Sequence, residues 1–255
     1  MNSSVLVFIP TYNEHENVKQ IYQRIQKLGL DADVLFLDDN SPDGTGRLLD
    51  EIAASDASVQ VIHRAGKEGI GSAHSTGIRW AYEKGYQTLV TMDCDFTHQP
   101  EAIPDFLRDS ENHDVVVGSR FMKSDSLKDW NLLRKSMTFT GHFLTKHLLK
   151  MPQDASGAFR VYRLDRIPAN LFAMVRAQGY GFFFESLHLL SINSFSICEI
   201  PIVLPARVSG HSKMTVAEAW KGLSFLAQTS FERITDRKKF ILPRTEQKVY
   251  AKAGR

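Results

Sequence analysis

The chain has 255 residues and 28.8 kDa, with 43% hydrophobic and 24% charged residues and a net charge of +2 from 31 basic and 29 acidic side chains. That length suits one large globular domain, and the composition excludes a disordered tail, a collagen and a small disulfide scaffold; the two cysteines, Cys94 and Cys198, build no framework and fit a reducing compartment. A body this close to neutral lacks the broad basic face of a nucleic-acid binder.

In chain order, residues 5–9 read as a strand that is too short for a secretory core, lacks a basic flank and ends at Pro10. Val18, Ile21, Tyr22, Ile25 and Leu28 then recur at helical spacing. A second strand over 34–37 is followed by a helix near 47–54. Strands over 59–63 and 88–92 enclose a helix near 72–83. A short helix that Pro100 can open precedes a strand over 114–118. This alternation predicts an α/β fold with a mostly parallel central sheet and helices on both faces. Beyond Ser119 the rhythm breaks: a helix over 132–149, a polar loop over 152–160, an aromatic segment over 180–190, a strand over 197–204 interrupted by Pro201, and a last helix over 215–234. No repeat or linker divides the chain, so a single domain over 1–235 is expected. From Glu232 to Arg255 the net charge is +5, which predicts a basic tail over 236–255. No apolar run approaches the ~18 residues of a membrane span. The expectation is a cytoplasmic protein, at most peripheral on the cytoplasmic face of a membrane.

In an open parallel sheet, ligands bind beyond the carboxyl ends of the strands. Three strand exits carry polar loops: Pro10-Thr11-Tyr12-Asn13-Glu14, Asp38-Asp39-Asn40-Ser41-Pro42-Asp43-Gly44-Thr45 and Asp93-Cys94-Asp95. Turn chemistry explains any one of them, but three on one edge point to a binding site. Asp93 and Asp95, two apart in extended chain, face one side and suit Mg²⁺ or Mn²⁺ bridging a substrate diphosphate; a pair of solvated or capping aspartates is the plainer alternative. No G-x-x-x-x-G-K-[ST] loop is present, and Gly69-Ile70-Gly71-Ser72-Ala73-His74 fails the dinucleotide fingerprint at its last glycine. His98 reads equally as a helix-start residue, and Tyr180, Phe182, Phe183 and Phe184 as core, with Glu185 out of place among them.

Phe8-Ile9-Pro10-Thr11-Tyr12-Asn13-Glu14 together with Leu37-Asp38-Asp39-Asn40-Ser41-Pro42-Asp43-Gly44-Thr45 resembles the family-2 glycosyltransferases of the GT-A fold, and within them the dolichol-phosphate (polyprenol-phosphate) mannose synthase group. His98 and Pro100-Glu101 after the aspartates, Gln153-Asp154, Ser156-Gly157, Phe159-Arg160 and Arg207-x-x-Gly210-x-Ser212-Lys213 continue the resemblance. It implies that Pro10, Tyr12, Glu14, Leu37 and Asp39 line the nucleoside pocket of a sugar-nucleotide donor. Asp93, Cys94 and Asp95 would lie at the diphosphate, with Thr97 completing the metal sphere of Asp93 and Asp95. Arg120, Arg207 and Lys213 would hold phosphate charge; Arg120, Arg134 and Thr138 would meet the acceptor phosphate, and Asp154 would be an acceptor-side carboxylate. Three departures fall mainly on the acceptor side. Thr97 stands where the family often has Gln, Ala158 lengthens the Ser-Gly-Phe-Arg loop, and a 123–128 segment replaces a glycine-rich stretch.

The implied reaction is metal-dependent, inverting transfer of a sugar, mannose from GDP-mannose, to a polyprenyl or dolichyl monophosphate at a membrane surface. Alternatives are a UDP-sugar donor or a saccharide hydroxyl acceptor, for which Asp154 is the candidate base, and, outside the class, a nucleotidyltransferase or a non-catalytic sugar-nucleotide-binding protein. Val216, Ala219, Trp220, Leu223, Ala227, Phe231 and Ile234 share one face of the last helix, which predicts either packing on the core or contact with anionic lipid.

Overall fold

The computed structural model describes residues 3–128, 130, 132–205 and 216–243, with the side chains of 133 and 216–219 outside that description. Seven strands, β1 (Val5–Thr11), β2 (Asp33–Asp38), β3 (Val59–His63), β4 (Thr88–Thr91), β5 (Val115–Ser119), β6 (Arg160–Arg163) and β7 (Ile197–Pro201), form one sheet in the order β3-β2-β1-β4-β6-β5-β7. Every neighbouring pair is parallel except those made by β6, which runs antiparallel between β4 and β5.

Alternate residues of the strands feed two cores, as the two-residue pleat requires. Leu6, Phe8, Leu35 and Leu37 pack under α3 (Ile70–Glu83), α6 (Ala169–Ala173) and α7 (Gly181–Ile192). Val7, Ile9, Val34 and Phe36 pack under α1 (His15–Gln26), α2 (Thr45–Ser55) and α4 (Ile103–Ser110). Both faces are covered, so the strands read as continuous apolar runs. Pro100 opens a 3₁₀ turn, Pro100–Ala102, rather than α4 itself. α5 (Leu132–Leu148) and α8 (Val216–Thr235) pack against each other.

Three expectations need correction. The stretch 152–160, read as a loop, ends in β6, because Arg160 opens a strand whose charge disguises it. The segment 180–190 is a helix with ten of its residues buried on all sides; it has no polar face and so shows no 3.6-residue period. The tail does not begin at 236: Phe240 and Leu242 are buried, and Asn193 bonds the Phe240 carbonyl at 2.7 Å and the Leu242 amide at 2.8 Å. Apolar anchors keep the chain on the domain through Leu242.

Candidate active site

The carboxyl ends of β1, β2, β4 and β5 and the amino end of β6 meet on one edge of the sheet, because Thr91 of β4 lies opposite Arg160. Two of these loops are tied together through the 41–45 motif. The Asn13 amide donates to Ser41 Oγ at 2.9 Å, the Glu14 amide to Thr45 Oγ1 at 3.0 Å and the His15 amide to Asp43 at 3.2 Å. Asp43 also accepts from the Thr45 amide and hydroxyl at 3.0 and 2.6 Å. Burial alone would raise the Asp43 carboxyl, but these bonds hold it below the usual carboxylate range. The serine, aspartate and threonine of the motif thus fix loop shape. Asn13 and Asn40 take up positive φ angles of 54° and 56°, a region asparagine tolerates better than most residues.

At the base of these loops, Asp39 is 6% exposed and forms a doubly bonded ion pair with Arg64, whose side chain is 7% exposed. Burial pushes the Asp39 carboxyl above its ordinary value, against the pull of Arg64. Arg64 also donates to Ser72 Oγ at 2.8 Å, and Lys67 Nζ lies 4.9 Å from the centre of the Tyr12 ring. Pro10, Tyr12, Glu14 and Asp39 thus lie on the neighbouring exits of β1 and β2. Leu37 does not present its side chain there: it is fully buried in the core, and only its carbonyl, accepting from Thr11 Oγ1 at 3.1 Å, faces this loop. Arg64 went unread because its strand exit, residues 63–69, is basic and glycine-rich and lacks the Asp and Asn residues of the other exits.

At the exit of β4, Cys94 turns into the core at 2% exposure, between Asp93, whose side chain is 34% exposed, and Asp95, which is 6% exposed. The Thr97 amide and hydroxyl donate to Asp95 Oδ1 at 3.1 and 2.5 Å, so Thr97 orients a carboxylate instead of opening toward solvent. His98 Nδ1 bonds the Asp93 amide at 2.9 Å, which sets the imidazole against the backbone of the aspartate pair. Phe96 sits between the aspartate and the threonine at φ +61°, a genuine outlier for a bulky side chain. Its carbonyl is held by Gln99 at 2.8 Å, and Arg24 of α1 ties Gln99 to Glu101. Among the described residues no three His, Cys, Asp or Glu side chains cluster closely enough to enclose a metal. The two carboxylates are hard oxygen donors, the donor chemistry that suits Mg²⁺ or Mn²⁺.

At the exit of β5, Arg120 donates from Nε and from its amide to Asp154 Oδ2 at 2.7 and 3.2 Å. Asp154 is fully buried; its other oxygen accepts from the Ser156 amide at 3.2 Å, and its own amide bonds Glu199 of β7 at 2.8 Å. Burial would raise this carboxyl, yet the Arg120 charge and bonds hold it below the ordinary range, which suits an orienting anion and not a base. Gly157 leaves room for the arginine: a Cβ there would stand 3.3 Å from Arg120 Nη2. Behind the loop, Arg160 is fully buried and donates to the carbonyls of Gly157 and Ala155 at 2.8 and 3.0 Å, and to Tyr162 and Ser186, each at 3.2 Å. Arg134 lies on α5 with its guanidinium 3.4 Å over the Trp130 ring, and Thr138 follows one turn later. Arg207 and Lys213 lie outside the described residues.

Three sequence features prove structural. Gly69 and Gly71 let α3 press against 177–179, where a Cβ at Gly71 would lie 2.6 Å from the Gly179 carbonyl. Glu185, fully buried, accepts from the amides of Arg176 and Ala177 at 2.8 and 2.9 Å and from the Arg176 side chain at 3.0 Å. Phe182, Phe183 and Phe184 are core.

Residues 6–167 match the profile of glycosyl transferase family 2. The chain is 38% identical over 212 residues to an undecaprenyl-phosphate mannosyltransferase of Micrococcus luteus, covering 83% of this chain and 87% of that one. It is 33% identical over 235 residues to a polyprenol monophosphomannose synthase of Mycolicibacterium smegmatis, covering 91% and 89%. A mannosyltransferase from Pyrobaculum calidifontis, solved with GDP-Man and Mn²⁺, superposes with a TM-score of 0.52 at 14% identity, over 83% of this chain and 59% of that one.

Proposed function

The chain belongs to glycosyl transferase family 2 and has its GT-A fold, and from that premise we propose that it transfers mannose, with inversion, from GDP-mannose to a polyprenyl monophosphate at a membrane surface. The observation that carries the acceptor is Arg120, a guanidinium held by a buried carboxylate at the exit of β5, on the sheet edge that also carries Asp93 and Asp95. The names of the two relatives support mannose and the lipid phosphate; the ligands of the archaeal structure support GDP-mannose and a divalent ion.

In this reading Tyr12, Glu14, Asp39 and Arg64 bind the nucleoside. Asp93 and Asp95 hold Mg²⁺ or Mn²⁺, with Thr97 orienting Asp95; the ion supplies positive charge to the donor diphosphate. A phosphate monoester, with a second pKa of about 6, is mostly dianionic at neutral pH and attacks the anomeric carbon without a protein base. The task left to the protein is alignment and charge, for which Arg120, Arg134 and Thr138 are placed to receive the acceptor phosphate. Asp154 holds Arg120 and takes no proton. Attack from the face opposite the departing GDP turns an α-linked donor into a β-linked product.

The test is release of GDP from GDP-mannose with a short-chain polyprenyl phosphate, with and without added Mg²⁺ or Mn²⁺. Metal-dependent release that needs the acceptor is expected, and Asp95→Ala should lower it by roughly two orders of magnitude, the scale on which losing one charge-stabilising partner acts. Full activity in Asp95→Ala would remove the metal site, and release from a UDP-sugar alone would replace the donor.

A further inference from the structure

Phe96 stands between Asp95 and Thr97 at a φ of +61°, in the left-handed region that a bulky side chain keeps only when its surroundings hold it there. The conformation has a local consequence. It turns the chain back so that the Thr97 amide and hydroxyl both reach Asp95 Oδ1, at 3.1 and 2.5 Å, and these bonds set the direction of the carboxylate. A Phe96 relaxed to negative φ would carry Thr97 away and leave that carboxylate to turn.

What holds Phe96 comes from another element. Arg24, in the last turn of α1, lies with its guanidinium carbon 5.4 Å from the centre of the Phe96 ring. The same guanidinium donates to Gln99 Oε1 at 2.5 Å, and Gln99 Nε2 donates to the Phe96 carbonyl at 2.8 Å. One arginine thus reaches Phe96 at its ring and, through Gln99, at its carbonyl. Glu101 of the 3₁₀ turn fixes the arginine in its place by a two-pronged ion pair, whose Nε arm measures 2.8 Å. A planar fork with donors on several sides makes all these contacts at once, where the point charge of a lysine would not. As an ion pair alone, Arg24–Glu101 would count for little, since the two side chains are 29% and 54% exposed. The strained residue under the guanidinium gives the pair a task. We propose that Arg24 is a positioning residue for the divalent ion: by keeping Phe96 left-handed it keeps Asp95 aimed, while touching neither ion nor substrate. The proposal rests on the reading above in which Asp93 and Asp95 hold Mg²⁺ or Mn²⁺.

The experiment titrates Mn²⁺ into the full-length chain with GDP present, reading the unbound ion by electron paramagnetic resonance, and adds a thermal melt of each protein. Arg24→Ala is expected to fold, because the Glu101 it leaves behind is half exposed, and to bind Mn²⁺ roughly tenfold more weakly, the lower end of what losing an outer-shell support does. Its GDP release from GDP-mannose should need correspondingly more Mn²⁺ to reach half its maximum. Phe96→Gly tests the route of the effect. Glycine adopts positive φ without steric cost, so in that background Arg24 has nothing to hold and Arg24→Ala should change Mn²⁺ affinity little. The proposal is overturned if Arg24→Ala binds Mn²⁺ as the wild type does, or if its loss is as large in the Phe96→Gly background. A lower melting temperature with unchanged Mn²⁺ affinity, the mark of a purely structural ion pair, overturns it equally. A wild type that takes up no Mn²⁺ beside GDP removes the metal reading and the proposal with it. Mn²⁺ uptake that depends on Arg24 without any mannosyl transfer would support the proposal and remove the transfer reading.

Discussion

At the scale of single residues, the pairing of Arg120 with Asp154 changes what a substitution reports. Asp154 is fully buried, so removing its partner strands a charge in the protein interior. Arg120→Ala should therefore abolish acceptor use and also cost about 3–5 kcal/mol of stability, the typical effect of breaking a buried pair from one side. Replacing both residues, Arg120→Ala with Asp154→Asn, should return much of that stability and none of the turnover. Thermal melts and acceptor titrations on the same three proteins separate the two effects; a double variant no more stable than the single one would show that Asp154 is not held by the arginine's charge. Residues such as Asp39, Asp93 and Asp95 were legible in the sequence because they follow apolar strands in polar loops. Arg64 and Arg24 were not, since each acts on a loop distant in sequence, and nothing at its own position announces the partner.

At the scale of elements, the 154–160 loop links the proposed acceptor side of the site to the sheet. Its shape comes from two directions: Arg160 grips its carbonyls from behind, and Gly157 leaves space in front. A methyl at Gly157 would crowd both Arg120 Nη2 and the Gly118 carbonyl, the latter at 3.2 Å. Gly157→Ala should consequently raise the KM for the phosphate acceptor several-fold, within the ~1–3 kcal/mol typical of overpacking, while leaving donor binding unchanged. Steady-state kinetics with each substrate varied in turn checks this, and an equal loss on the donor side would move Gly157 out of the acceptor half. The first five strands were readable from their apolar runs and turn residues. β6 escaped because Arg160 and Arg163 bracket only two apolar residues, and α7 because a helix buried all round has no polar period.

At the scale of the whole molecule, two buried histidines make the fold sensitive to acid. His74 is fully buried among Phe8, Phe182 and Phe183, with no hydrogen bond to either ring nitrogen. Burial, with smaller contributions from Arg160 and His98, pulls its pKa down to about 3; burial and the charges of Arg233 and Arg237 take His188 to about 4. Both lie below the ordinary value of 6.5, so the unfolded chain binds more protons than the folded one between those limits. Stability is then complete above pH 6.5 and falls as the pH drops toward 4, by up to about 1.4 kcal/mol per pH unit for each group. Urea midpoints at pH 7 and pH 5 should differ by ~2–4 kcal/mol in stability, and His74→Leu should remove about half of the difference; an unchanged slope in that variant would show that the ring is protonated in the native state. The position of β6 also bears on the order in which the molecule assembles. β1 to β4 lie side by side and come from the first 91 residues, so that half of the sheet has all its strands early in synthesis. β5 ends at Ser119 but bonds only to β6 and β7, whose residues leave the ribosome at least forty residues later. Until then β5 has no strand beside it, and the closing of the sheet waits on the short antiparallel strand that the sequence conceals best.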